Sequence, residues 1–97
     1  MPLSNVQNRY LRGLAHKLKP VVYLGQKGVT PGVLAELDAA LTVHELVKVK
    51  LAGEREQKAA LVDTLTRETK AEVVQQIGHV VSLYRRNPEK PRLALPE

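Results

Sequence analysis

The sequence contains no cysteine, no tryptophan and no phenylalanine, and it has no apolar run long enough to cross a membrane. The absence of cysteine excludes disulfide bonds, cysteine–zinc sites and thiol nucleophiles. The three tyrosines do not cluster, so recognition of bases by stacking on several aromatic side chains is not expected. The amino-terminal residues lack the apolar segment of a signal peptide, and we therefore expect a cytoplasmic protein without membrane association.

The length and composition predict one globular domain. The chain has 97 residues, of which 43% are hydrophobic and 26% charged. A chain of this length buries roughly two thirds of the surface that its unfolded form exposes, which is enough for a core without metal or disulfide crosslinks. We expect the domain to occupy residues 1–86. A proline-rich, irregular tail should follow at residues 87–97, where Leu93 and Leu95 can pack against the domain.

The charge is distributed unevenly along the chain. The net charge is +5, and five basic residues precede Glu36, the first acidic residue: Arg9, Arg12, Lys17, Lys19 and Lys27. The first third of the sequence therefore carries the whole net charge. A basic block at one end of a balanced domain is typical of a protein with a polyanionic partner. A solubilising surface would carry the same charge, so composition alone leaves both interpretations open.

The first part of the sequence predicts a helix, a strand and a second helix. Ser4 and Gln7 form a capping-box pattern, and one apolar face follows at a spacing of four residues: Val6, Tyr10, Leu14 and Leu18, joined by Leu11. Pro20 ends this helix. The branched run at residues 21–24 predicts a buried strand, and the Thr-Pro pair at residues 30–31 predicts the start of the second helix.

The remaining sequence predicts a strand, a third helix and a hairpin. Residues 45–51 alternate, so that Lys48 and Lys50 share one face of the strand and three apolar residues share the other. Residues 54–70 predict the third helix, and residues 71–84 predict two strands joined by a tight turn. The order α-β-α-β-α-β-β predicts a small mixed sheet, because strands separated by helices pair in parallel and the hairpin adds an antiparallel strand.

The residue patterns of common catalytic sites are absent from the sequence. Ser4 and Ser82 are the only serines, and neither lies in a G-x-S-x-G motif. His16, His44 and His79 lack metal-ligand spacing, and neither the Walker pattern nor the dinucleotide-binding glycine pattern occurs. We therefore expect no catalytic residue, no metal and no cofactor.

The best local candidate for binding is the loop Gly25, Gln26, Lys27 and Gly28, between the first strand and the second helix. Two glycines allow a tight turn and a close approach of the backbone to a ligand. The free N–H groups of the next helix and the charge of Lys27 lie at the same place, so the loop predicts a phosphate-binding site. Glycine in such a turn also serves chain geometry alone.

A basic stripe on the first helix supports this interpretation. Arg9, Arg12 and His16 follow one another at i, i+3 and i+7, and no carboxylate occurs in that stretch, whereas a solvated helix face usually carries both signs. Lys17 and Lys19 lie at the helix end, where cations also interact favourably with the helix dipole. We predict that these residues and the loop form one binding surface.

Two further sets of residues are assigned to structure. Lys48 and Lys50 are expected to keep the surface soluble, unless the helices cover only the opposite face of the sheet, in which case the two lysines extend the basic surface. The three tyrosines, Tyr10, Tyr23 and Tyr84, are expected in the core or at its edge, with hydrated hydroxyl groups.

Several ordered motifs resemble the CRM domain family. They are HKLKPVV at residues 16–22, LGQKGVT at 24–30, HELVKVK at 44–50, RET at 67–69, QIG at 76–78 and LYR at 83–85. The resemblance extends from about Ser4 to Arg86, and a single domain of this length resembles the stand-alone bacterial YhbY-like members. One departure is Lys70, because the family pattern has a glycine after Thr69.

The resemblance implies both a fold and a function. The implied fold is a two-layer α/β structure of the α+β type, like the C-terminal domain of translation initiation factor three, with four strands in the order one, two, four, three. The implied function is RNA binding during ribosome assembly, on precursors of the large ribosomal subunit. The implied RNA contacts are the loop Gly25, Gln26, Lys27 and Gly28 and the adjacent basic surface with Arg9, Arg12 and His16.

Three functions of different classes follow from these observations. The first is a ribosome-assembly factor that binds ribosomal RNA without catalysis. The second is a protein-interaction adaptor whose basic face docks acidic partners and binds RNA only nonspecifically. The third is a small enzyme that uses the loop to act on phosphorylated substrates. We expect a monomer, although the sequence does not determine the oligomeric state.

Overall fold

The computed structural model of the protein describes residues 3–25 and 27–96. Within these residues the elements follow the predicted order: α1 (Asn5–Ala15), β1 (Val22–Tyr23), α2 (Pro31–His44), β2 (Leu46–Lys50), α3 (Arg55–Thr69), β3 (Glu72–Ile77) and β4 (Val80–Tyr84). The α+β fold class is therefore confirmed. Among the described residues, no helix combines the length and hydropathy that a bilayer-spanning segment needs.

The four strands form one mixed sheet in the order β1-β2-β4-β3, as the resemblance implies. β1 and β2 are parallel, whereas β4 is antiparallel to both β2 and β3. The parallel pair is connected by α2, which is the crossover that such pairing requires. The register of β3 shifts between Val73 and Gln75, so that Val74 is the extra residue of a bulge.

The helix ends follow the capping signals of the sequence. The hydroxyl of Ser4 accepts the Gln7 N–H at 3.1 Å, and the Gln7 side chain accepts the Ser4 N–H at 3.0 Å. Thr30 caps α2 by accepting the Val33 N–H at 3.2 Å. Lys70 ends α3 in the left-handed conformation at φ 62. This is the conformation that glycine adopts most readily, which explains the glycine in the family pattern, and the lysine adopts it here with the helix end intact.

The buried face of α1 agrees with the predicted one at Leu11 and Leu14 and differs from it elsewhere. Leu11 and Ala15 are buried, and Leu14 is half-buried. Three residues of the predicted apolar face are instead exposed: Val6 at 52%, Tyr10 at 40% and Leu18 at 39%. The small side chain of Ala15 lets the helix approach the sheet closely, and Leu18 lies beyond the helix end, where helical spacing no longer applies.

Helices pack on both faces of the sheet. The sheet and the pair α2 and α3 form two layers around the main core, in which Val47, Val49, Val81 and Leu83 of the sheet meet the helices. α1 packs on the other face, where its buried residues meet a second set: Leu46, Val74 and Tyr84. α1 covers only one end of this face, and the end of the sheet at Lys50 and Ile77 stays open to solvent.

A buried carboxylate holds the tail against the domain. Glu45 follows α2 at φ 63 and is fully buried, although the sequence placed it in the strand. Its Oε2 atom accepts the Asn87 N–H at 2.6 Å, and its Oε1 atom accepts the N–H groups of Arg92 and Leu93 at 2.6 and 2.7 Å. Leu93 and Leu95 pack on the core beneath α1. The tail is thus irregular but docked, and the domain boundary after residue 86 stays a prediction.

We expect Glu45→Gln to lower the free energy of unfolding by about 1–3 kcal/mol. The NH₂ group of glutamine replaces one carboxylate oxygen and cannot accept a hydrogen bond, so at least one backbone N–H of the tail loses its acceptor. Urea denaturation followed by circular dichroism measures the change. Glu36→Gln on the exposed surface of α2 is the matched control and should stay within about 0.5 kcal/mol of the wild type. Equal losses in both variants would contradict a structural role for the Glu45 carboxylate.

Candidate nucleic-acid interface

The predicted loop makes a tight turn after β1. The Gly28 N–H donates to the Gly25 carbonyl at 3.1 Å, which closes the turn. Lys27 is exposed, and Gln26 lies outside the described residues. The loop leads into the first turn of α2, which begins at Pro31. The described part of the loop therefore presents open backbone and one cation beside a helix amino terminus, where N–H groups and the helix dipole favour anions.

The two glycines of the loop have different roles. Gly28 has a φ of +68°, and a Cβ atom there would lie 3.6 Å from Leu61 Cδ2, which is an ordinary contact. The backbone conformation, and not a lack of space, therefore requires glycine at position 28. Gly25 is exposed, has no such φ, and a Cβ atom there would meet nothing within 4 Å. Folding does not require Gly25, so its open backbone is available to a ligand.

The basic stripe of α1 is displayed without neutralising partners. Arg9 and His16 are exposed, and Arg12 is half-buried. In the part of the chain that the structure describes, two ion pairs occur, Arg67–Asp63 and Arg85–Asp38, and neither involves these residues. The positive charge of α1 is therefore free to interact with an external anion.

Lys17 and Lys19 lie in the connection from α1 to β1 and are exposed. Both line a groove of about 510 Å³ between the end of α1 and the start of β2, together with apolar side chains and Lys48. They therefore extend the basic stripe of α1 toward the sheet.

The loop and α1 lie at different places on the sheet. α1 runs across one face, with Gln7 near Glu72 and Tyr84 at its beginning and His16 near Lys48 at its end. The loop follows β1 at the sheet edge, on the side where Gly28 approaches α3. No hydrogen bond or ion pair between described residues joins the loop to Arg9 or Arg12. What lies between them is the open end of the sheet.

The sheet lysines fill the space between the loop and α1. Lys48 shares a hollow of about 240 Å³ with His16, the residue that follows α1, and Lys50 pairs in register with Tyr23, two residues before Gly25. The sequence favoured a solubilising role for both lysines and left open that they extend the basic surface, because their alternation already placed them on one face. The sequence did not show how much of that face the helices cover, and this decides whether the lysines join the basic surface. Because α1 leaves one end open, Lys48 and Lys50 connect the two predicted parts of the surface.

The tyrosines occupy three different environments. Tyr84 is buried, as predicted, and its burial raises the pKa of its phenol, an effect that the nearby charge of Glu45 reinforces. Tyr10 is 40% exposed on α1. Tyr23 is 62% exposed, so its predicted place in or near the core is wrong. β1 points Val22 into the core, and the next residue consequently points to the opposite, open face.

No group of three or more histidine or acidic side chains that could hold a metal ion occurs among the described residues. The arrangement consists of backbone N–H groups, amines and guanidinium groups around an open surface. Such groups bind and position anions, of which phosphate is one.

Comparison with known proteins identifies the family. Residues 3–85 match the model of the CRS1 / YhbY (CRM) domain, and the chain belongs to this family. It is 53% identical over 95 residues to a Haemophilus influenzae protein named RNA-binding protein, covering 97% of this chain and 95% of that one. It is 33% identical over 95 residues to a Bacillus subtilis protein named a probable RNA-binding protein, covering 97% and 99% of the two chains.

A solved structure is similar to this fold. The solution structure of a hypothetical protein from Staphylococcus aureus superposes with a TM-score of 0.83 at 34% identity and covers 98% of this chain and 100% of that chain. The resemblance found in the sequence motifs is therefore confirmed for the family and for the fold.

We expect Gly28→Ala to lower the free energy of unfolding by about 1–2 kcal/mol, because alanine is strained at positive φ. Gly25→Ala is the matched control in the same loop and should change stability by less than about 0.5 kcal/mol. Thermal unfolding of the two variants beside the wild type measures the difference. The assignment of the strained position would be wrong if Gly25→Ala were the less stable of the two.

Proposed function

We propose that this protein binds structured RNA through the basic surface that begins at the glycine loop, crosses the open end of the sheet and continues along α1. The observation that carries the proposal is the set of basic side chains on this surface without carboxylate partners among the described residues: Arg9, Arg12, His16, Lys17, Lys19, Lys27, Lys48 and Lys50. Membership of the CRM family and the names of the relatives support RNA as the anion.

The geometry favours contacts to the RNA backbone over contacts to base edges. Double-stranded RNA presents phosphates and 2′-hydroxyl groups more readily than base edges. The open backbone at Gly25 admits a close sugar–phosphate approach, and Lys27 supplies charge beside it. Contacts of this kind fix the position of the protein on the RNA and leave the choice of bases loose. The proposed activity is binding without a chemical step.

The biological setting is a finer part of the proposal. We propose that the protein acts as a monomer in the cytoplasm, on precursors of the large ribosomal subunit. The support is the resemblance to stand-alone bacterial CRM proteins, whose family context is ribosome assembly. The adaptor and the phosphate-dependent enzyme remain the alternatives, and neither is favoured by a contact in the structure.

We expect Lys27→Asp to weaken binding to an RNA hairpin and to reduce the salt dependence of the affinity. For the wild type, about five phosphates neutralised by cations give a slope of log K against log salt of roughly −3 to −5. Losing one phosphate contact reduces the steepness of this slope by about 1. Titrations at several salt concentrations measure both effects, and circular dichroism checks the fold.

Lys90→Asp is the matched control for this experiment, because it makes the same change of charge at an exposed tail residue. The Lys90 N–H donates to the Asn87 side chain, which in turn donates to the Thr42 carbonyl at the far end of α2. Arg9→Glu extends the test to α1. If Lys27→Asp and Lys90→Asp reduce the affinity for RNA equally, the loop has no specific role in binding. A salt-independent affinity would contradict backbone recognition as a whole and favour the adaptor.

We expect crosslinking in cell lysate, followed by sequencing of the attached RNA, to recover precursor large-subunit ribosomal RNA. The physical basis is proximity, because the RNA whose phosphate backbone is bound at the open surface lies next to the protein when the crosslink forms. The triple variant with Lys27→Asp, Arg9→Glu and Arg12→Glu should lose these crosslinks. Equal enrichment of all abundant RNAs would contradict the ribosomal setting while leaving RNA binding itself in place.

A further inference from the structure

The open end of the sheet carries a row of four side chains, one from each strand. Tyr23 of β1 is in register with Lys50 of β2, Lys50 with Val80 of β4, and Val80 with Ile77 of β3. Partners in register across a sheet share a face. Neighbouring strands lie about 4.8 Å apart, so the row spans roughly 14 Å. This length accommodates more than one nucleotide base.

The two ends of this row are unusually exposed for apolar side chains. Tyr23 and Ile77 are each 62% exposed. Single exposed apolar residues are common, but these two belong to one continuous row with a lysine between the tyrosine and the aliphatic pair. The hollow beside the row is lined by six residues of α1, the connection and the sheet: His16, Pro20, Lys48, Gln75, Ile77 and Val80.

The chemistry of the neighbouring row matches an RNA strand. Lys48 pairs in register with Ser82, and Ser82 with Gln75. Neither row contains an acidic residue, so amines, an amide and apolar surface are combined without a competing negative charge. An unpaired nucleotide has the complementary parts, which are a flat apolar base, hydrogen-bonding edges and an anionic phosphate.

We propose that Tyr23 is a stacking platform for an unpaired base, with Lys48 and Lys50 binding the phosphates beside it. This inference rests on the proposed RNA binding and names the RNA more closely. The loop begins two residues after Tyr23, so a single chain segment presents both contacts. The preferred RNA is therefore a duplex with an adjoining single strand: the loop and α1 hold the duplex, and the open end of the sheet holds the unpaired nucleotide.

The experiment compares two RNAs that differ in one feature. One is a blunt RNA hairpin, and the other is the same hairpin with a short single-stranded uridine extension. The wild type should bind the extended hairpin more tightly. Tyr23→Ala should weaken binding to the extended hairpin by roughly fivefold to a hundredfold, which is the usual loss for one stacked base, and leave binding to the blunt hairpin within about twofold.

Two further variants separate stacking from folding. Tyr23→Phe keeps an aromatic ring and should keep the preference, whereas Tyr23→Leu keeps apolar bulk without a ring and should lose it. Tyr10→Ala is the matched control, because Tyr10 is an exposed tyrosine on α1 outside the two rows. Tyr10→Ala should leave the ratio of the two affinities unchanged.

The outcomes distinguish this inference from the proposed function. If Tyr23→Ala and Tyr23→Leu leave the ratio unchanged while Lys27→Asp weakens binding to both RNAs, RNA binding stands and the platform is overturned. If the wild type binds neither RNA, the proposed function fails first. If Tyr23→Ala abolishes binding of a polyglutamate peptide and leaves the RNA ratio unchanged, the open face belongs to a protein partner and the platform is again overturned.

Discussion

The alternation of side chains along β2 is the constraint on which the rest of the structure depends. β2 pairs with β1 on one side and with β4 on the other. The face on which each β2 residue lies is therefore also the face of its partners in β1 and β4. Val47 and Val49 face α2 and α3 in the main core. Leu46 faces α1, and Lys48 and Lys50 continue the same face where α1 no longer covers it. A single strand thus contributes residues to the main core, to the contact with α1 and to the cationic part of the surface.

The junction before β2 stabilises this arrangement through a buried charge. Isolated carboxylates are costly to bury, and Glu45 is buried because three backbone N–H groups of the tail surround it. The same contacts place Leu93 and Leu95 under α1. Arg85 adds to the junction, because it donates to Asp38 and Thr69 around the end of β4. The side of the molecule away from the open sheet is therefore held by a continuous polar network.

The local signals in the sequence predicted the elements well and their tertiary environment only in part. The capping box at Ser4, the Thr30–Pro31 start and the alternation of β2 each depend on neighbouring residues, and the structure contains all of them. The strand order came from the family resemblance alone, because periodicity does not say which strands pair. The predicted α1 face was right for Leu11 and missed Ala15, because alanine gives a weak hydrophobic signal.

In the candidate surface too, the features that depend on neighbouring residues were predictable from the sequence, and those that depend on tertiary packing were not. The loop and the basic helix were visible as charge and glycine patterns. Tyr23 was assigned to the core or its edge, and the sheet lysines were assigned to the basic surface only as an alternative, because their surroundings depend on where α1 stops. The role of Glu45 was also hidden, because its partners lie 42 to 48 residues later in the chain. The positions assigned to RNA by the sequence stay predictions, and the sheet residues between them belong to the proposal.

The contact between Gln7 and the Pro96 carbonyl, at 3.1 Å, has a practical consequence for building with this domain. It brings the first helix and the last described residues together, beside Glu72 and Tyr84 and away from the open end of the sheet. A reporter or a second copy fused at either end would leave the domain from the same side. Such a connection would not start at the open end of the sheet, and tethering two copies would raise the local concentration of binding sites along one RNA strand.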